Sequence, residues 1–141
     1  MTQQSVQISQ SQETNPSNAI INKFQIIYGL KDIENIYVTD FFACQDKYYN
    51  LFIWGGIWGS TKPSLLREFE KNVLQASIGE SLLIVIDLNL MVYSCGKNNV
   101  GQLGLKDVNQ ITTLTCIESL MQNPIKLLEC GKDFCIGISG L

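Results

Sequence analysis

Two stretches of this chain carry the same shape 41 residues apart. Residues 51–59 read LFIWGGIWG and residues 92–101 read VYSCGKNNVG. With Trp54 laid on Cys95, Gly55 falls on Gly96, Phe52 on Tyr93 and Asp46 on Asp87, and the apolar run Phe41, Phe42, Ala43 falls on Leu82, Leu83, Ile84 without a gap. A third copy shows its first half: residues 127–139, LLECGKDFCIGIS, parallel residues 74–86, LQASIGESLLIVI, with Gly131 over Gly79 and Phe134 over Leu82. Self-similarity at this period, with short apolar segments in each copy, marks propeller blades or related repeat arrays, in which one unit covers the apolar face of the next.

Local signals say what each unit is made of. Residues 82–86 and 91–95 are apolar, rich in β-branched and aromatic side chains, and separated by a short polar turn, so they predict a hairpin. Residues 41–45 and 51–54 predict its counterpart. Downstream of the second hairpin, Gly96, Gly101 and Gly104 stand where the chain must reverse sharply, and glycine reaches positive φ without a Cβ penalty. Residues 64–74 leave two readings. Leu65, Phe69 and Val73 recur at four-residue spacing, as on an amphipathic helix, while Pro63 and the polar break before Val73 and Leu74 fit outer strands better.

The order of apolar segment, glycine turn, hairpin ending in an aromatic-glycine pair, and then GQLGL resembles the regulator of chromosome condensation repeat, the unit of a seven-bladed β-propeller. The match is most specific over residues 92–107 and extends with less detail over residues 24–141. The resemblance implies an all-β fold of about two to three blades, an incomplete ring, with Trp54, Gly55, Gly59, Gly79, Gly96, Gly101, Gln102, Leu103, Gly104 and Gly131 as the structural signature. Departures from the family pattern are visible. Val38 stands where the repeat has a glycine, Cys95 where it has tryptophan, and Glu80, Ser81, Asp133 and Phe134 where family members commonly carry histidine. The founding member stimulates guanine-nucleotide exchange on a Ran-type GTPase, so the resemblance implies that activity as an alternative to a plain interaction role.

At 141 residues the chain holds about two and a half such units, so terminal strands are expected to lack the neighbours that a closed ring supplies. The expectation is a fragment, or a piece completed by another chain, with an adhesive C-terminal edge. Residues 1–18, dominated by Gln, Ser, Thr and Asn, are expected to form a disordered polar tail, leaving residues 19–141 as the repeat domain.

Chemistry is hard to place on this sequence. It contains no histidine, which removes Ser-His-Asp and Cys-His nucleophile systems. A phosphate loop needs lysine and a hydroxyl residue after its last glycine, and Gln102 and Leu103 stand there instead. Five cysteines, Cys44, Cys95, Cys116, Cys130 and Cys135, form no CxxC pair, so neither a metal site nor a cofactor site is expected; Cys44, Cys95 and Cys135 read as small buried hydrophobes. A net charge of −3 argues against sequence-wide affinity for nucleic acid or anionic membrane. The longest apolar run is far short of the ~20 residues of a membrane span. What remains is a non-enzymatic protein-interaction or scaffold module, cytoplasmic or nuclear, with an unidentified protein partner. Tyr48, Tyr49 and Trp58 are its candidate contact residues, because aromatic side chains on loops of a rigid scaffold are frequent interaction anchors.

Overall fold

The structure is a computed structural model and describes residues 6–9, 13–14, 20–21 and 24–140. It has two compact units, residues 1–33 and residues 34–141. In the first, β1 (Val6–Ser9) pairs antiparallel with β4 (Phe24–Ile27), and β2 (Glu13–Thr14) with β3 (Ile20–Ile21). The rest of the polar tail expected over residues 1–18 lies outside the described residues.

The second unit is the repeat region. A four-stranded sheet has the order β5 (Ile33–Val38), β6 (Phe41–Asp46), β7 (Leu51–Gly55), β8 (Ser64–Leu65). A second has the order β9 (Val73–Gly79), β10 (Leu82–Asp87), β11 (Val92–Gly96), β12 (Ile111–Cys116), and a two-stranded sheet follows from β13 (Ile125–Cys130) and β14 (Cys135–Ser139). These are two blades and the inner half of a third. Both expected hairpins form, and they share one register: Phe42 faces Trp54 and, at the equivalent position, Leu83 faces Cys95. The ambiguous stretch 64–74 resolves into strands separated by one turn of 3-10 helix at Arg67–Phe69. Phe69 is buried in the core between the blades and meets Tyr93 edge-on at 4.7 Å, so the four-residue spacing records one inward aromatic rather than a helical stripe.

Each blade contributes one face to a shared core. Phe41, Ala43, Leu51 and Ile53 of the first pack against Val73, Ala76, Leu83, Val85 and Cys95 of the second. Leu82, Ile84, Ile86 and Val92, on the opposite face of the second, pack against Ile125 and Leu128 of the third. Strands β6 and β10 are therefore buried along their whole length, which is why they read as unbroken apolar runs rather than alternating ones. At roughly 25 cal/mol per Å² of apolar surface removed from water, these two cores are the main force holding the units in series.

Backbone hydrogen bonds repeat with the same period. Asp46 Oδ1 accepts the N–H groups of Tyr48 and Asn50 at 2.8 and 3.0 Å, and Asp87 Oδ1 accepts those of Asn89 and Met91 at 2.8 and 2.9 Å. Each carboxylate thus closes its own hairpin turn as an Asx cap, and each turn holds a side chain at positive φ, Tyr49 at 67° and Leu90 at 62°.

Candidate interaction surface

The GQLG segment that dominates the sequence is a structural loop. Gly101 and Gly104 adopt φ of 77° and 67°. Leu103 is fully buried, and its carbonyl accepts the Ser94 hydroxyl at 2.8 Å. Gln102 folds back within the loop, with Oε1 accepting the Val100 N–H at 3.0 Å. The organising residue is one that sequence reading missed, Asn98. Fully buried, it accepts the Leu103 N–H on Oδ1 at 3.0 Å and donates from Nδ2 to the Asp107 carbonyl at 2.8 Å. Its signal in the sequence was an Asn two residues beyond Gly96, a side chain suited to bond loop backbone.

The remaining signature glycines divide by role. Gly55, Gly59 and Gly96 have φ of 81°, 64° and 124°, whereas Gly79 is a close-approach glycine: a Cβ there would strike the carbonyl oxygen of Gly131. Inner strands β9 and β13 meet at this point. Trp54, stacked on Phe42 at 5.5 Å, is buried.

The candidate contact aromatics are not assembled into one site. Tyr48 and Tyr49 lie exposed at the β6–β7 turn, with the Lys47 ammonium 5.1 Å from the Tyr48 ring centre. Trp58 lies at the other end of that hairpin, half-buried against Phe41 at 4.5 Å. Cys44 and Cys95 are buried, as expected of small hydrophobes, and burial pushes both thiols up to about 12, with Asp46 adding to the effect at Cys44. Cys135 departs from expectation in being half-buried; among the described residues no strand pairs with the outer side of β14.

A continuous apolar surface does exist, on the third sheet. Phe134, Ile136, Ile138 and Leu127 are more than half exposed, at 59%, 64%, 59% and 58%. The strand register explains the pattern. Glu129 faces Ile136 as Ser77 faces Ile84, so Phe134, Ile136 and Ile138 hold the positions of Leu82, Ile84 and Ile86, which the next sheet covers in the second blade. On the opposite side of β14 a cleft of about 460 Å³ opens, lined among others by Leu103, Leu120, Leu128 and Cys135. Among the described residues, no group of three or more His, Cys, Asp or Glu side chains is placed to hold a metal, and no helix is long and apolar enough to cross a membrane.

Comparison with known proteins agrees with this geometry. The family model described as regulator of chromosome condensation (RCC1) repeat matches residues 91–138, from the second hairpin through the exposed third sheet. Residues 91–138 are thus similar to a regulator of chromosome condensation repeat. Human X-linked retinitis pigmentosa GTPase regulator is 37% identical over 57 residues, 40% of this chain and 6% of that protein. Human probable E3 ubiquitin-protein ligase HERC4 is 30% identical over 90 residues, 63% of this chain and 8% of that protein. The matched repeats thus span under a tenth of the length of these curated relatives. Among solved structures, human WBSCR16 superposes with a TM-score of 0.71 at 17% identity, covering 92% of this chain and 36% of that one. Prp20p of Saccharomyces cerevisiae, whose structure is described together with its binding to Gsp1p and histones, gives 0.71 at 17% identity, covering 93% of this chain and 37% of that one. The present chain therefore has the fold of propeller blades in an incomplete ring.

Proposed function

We propose that this chain is a non-enzymatic protein-interaction module, cytoplasmic or nuclear, which binds a protein partner through the exposed face of its third sheet. One observation supports the reading above others: Phe134, Ile136 and Ile138 are exposed where their repeat equivalents Leu82, Ile84 and Ile86 are buried. Apolar patches of this kind, on an edge whose backbone groups are unpaired, favour β-sheet partners. The partner chemistry that fits is a sheet presenting small and branched aliphatic side chains, as Val73, Ala76, Leu83 and Val85 do at the corresponding joint between the first two blades.

The test is quantitative capture of partners by the wild-type chain and by an Ile136→Lys/Ile138→Lys variant. Partners retained by the wild type and lost by the variant support the reading; the same partners at the same levels on both overturn it. Guanine-nucleotide exchange, the second activity implied by the family, is decided separately by nucleotide release from a Ran-type GTPase. A scaffold leaves the release rate unchanged, and a strong acceleration replaces the scaffold reading with exchange.

A further inference from the structure

Cys130 and Cys135 face each other directly across β13 and β14. Antiparallel ladders alternate between pairs that exchange backbone hydrogen bonds and pairs that do not, and Cα atoms of the second kind lie about 4.5 Å apart. Two observations place this pair in the second class. The neighbouring pair is hydrogen-bonded, with the Gly131 N–H donating to the Phe134 carbonyl at 2.8 Å. The Cys130 N–H leaves the ladder altogether and donates to Ser77 Oγ on β9 at 2.9 Å. Such a spacing lies within the roughly 4.4–6.8 Å over which a disulfide joins two Cα atoms.

The two thiols differ in chemistry. Interaction between the two side chains, followed by burial, pushes Cys130 up, whereas the same interaction pulls Cys135 below its ordinary value against the effect of its burial. Cys135 also lines the open cleft beneath β14 and is half-buried, so a small reagent has a route to this residue. Cys44 and Cys95, by contrast, are buried at 0% and 1% exposure.

We propose that Cys130 and Cys135 are a hydroperoxide-sensitive pair that closes into a reversible disulfide across the third sheet. The Cys135 thiolate attacks one peroxide oxygen, the O–O bond breaks, and the leaving hydroxide takes up a proton to become water, leaving a sulfenic acid on Cys135. Cys130 sulfur then attacks Cys135 sulfur. The S–S bond forms, the S–O bond breaks, and hydroxide leaves as water with the proton of Cys130. The two sulfurs together lose two electrons and the peroxide gains them; a small-molecule thiol reverses the process by exchange. The product locks the β13–β14 hairpin at the edge whose outer face is exposed.

Trypsin supplies the readout, because it cuts after Lys126 and Lys132 and so separates Cys130, in residues 127–132, from Cys135, in residues 133–141. The full chain is treated with hydrogen peroxide, its free thiols are blocked with iodoacetamide, and the digest is analysed by mass spectrometry with and without reduction. The expected result is one linked pair of these peptides that separates on reduction. In a Cys130→Ser variant, Cys135 is expected to be trapped as a dimedone adduct of its sulfenic acid. Recovery of both peptides singly with blocked cysteines, or linkage of either to the peptide carrying Cys116, overturns the proposal.

Discussion

Ile136 occupies in its hairpin the register position that Ile84 occupies in the preceding one, yet Ile84 is 3% exposed and Ile136 is 64% exposed. The backbone shape is the same at both sites, and the difference is the sheet that covers one and not the other. Ile84→Ala should therefore cost about 2–5 kcal/mol, as truncation in a packed core does. Ile136→Ala should change stability by no more than about 0.5 kcal/mol. Urea denaturation of the two variants checks the contrast, and equal losses would show that the third sheet is covered in solution.

The glycines should separate into two classes on substitution. Gly101 has φ of 77° with open space where a Cβ would stand, so Gly101→Ala meets only the strain of a left-handed backbone, about 1–3 kcal/mol. Gly96 has φ of 124°, and its Cβ would lie 2.7 Å from the Leu82 Cα and closer still to the Ser81 carbonyl oxygen. Backbone on a neighbouring strand cannot swing aside as a side chain can. Gly96→Ala should consequently lower the melting temperature clearly more than Gly101→Ala, which thermal unfolding followed by circular dichroism would measure.

Asp40 ties the first inner turn to the second by accepting the Ser81 N–H at 2.9 Å and the Ser81 hydroxyl. Burial pushes its carboxyl up, but the bonds from Ser81, with smaller contributions from its own backbone and Thr39, outweigh that and hold it below the ordinary 3.8. A carboxyl with a depressed folded value adds stability that is fully present above its unfolded value and is lost as pH falls through the folded one. Wild type should thus exceed Asp40→Asn in stability at pH 7, and the gap should close as the pH is lowered past 3.8 and through the folded value. A gap of constant size across that window would remove the carboxylate from the account.

The repeat made most of this architecture legible. Gapless alignment of Trp54 with Cys95 located both hairpins in register, because burial on both faces of β6 and β10 left apolar runs that no exposed segment needs. Gly101 and Gly104 announced their turn, as the positive φ there excludes most other residues. Long-range polar contacts left no such trace. Asn98 and Gln75 resemble surface residues in one dimension, and their bonds to Asp107 and Leu128 arise only when the chain is folded. Half-burial of Cys135 and its pairing with Cys130 were equally hidden, since an apolar strand pattern does not say whether a neighbour covers it. Tyr48 and Tyr49, by contrast, are separable from Trp58 in the sequence, by hairpin turn and glycine turn, and the β6–β7 hairpin carries them to opposite ends.

Side chains on β9 perform at the second joint the work that backbone does within a sheet. Gln75 Nε2 donates to the Leu128 carbonyl at 2.7 Å while its Oε1 accepts the Leu128 N–H at 3.3 Å, so one amide stands in for a strand residue between two sheets. Ser77 Oγ accepts the Cys130 N–H and donates to Glu129 Oε2 at 3.1 Å. Among the described residues the third sheet has two strands, and beyond these bonds it is held by the Glu80 N–H donating to the Lys132 carbonyl at 3.0 Å, by the exposed Lys132–Glu80 ion pair at 3.0 Å, and by Ile125 and Leu128 in the second core. Gln75→Ala removes both partners of Leu128 and should destabilise that contact by about 1–3 kcal/mol. Local opening follows the weakest contacts of a structure, so amide exchange should accelerate over Ile125–Cys130 and Cys135–Ser139 while Leu82–Asp87 keeps its protection. Acceleration spread evenly over all three strands would mean that the half-blade opens only when the whole domain does, and that the Gln75 amide is not what fastens it.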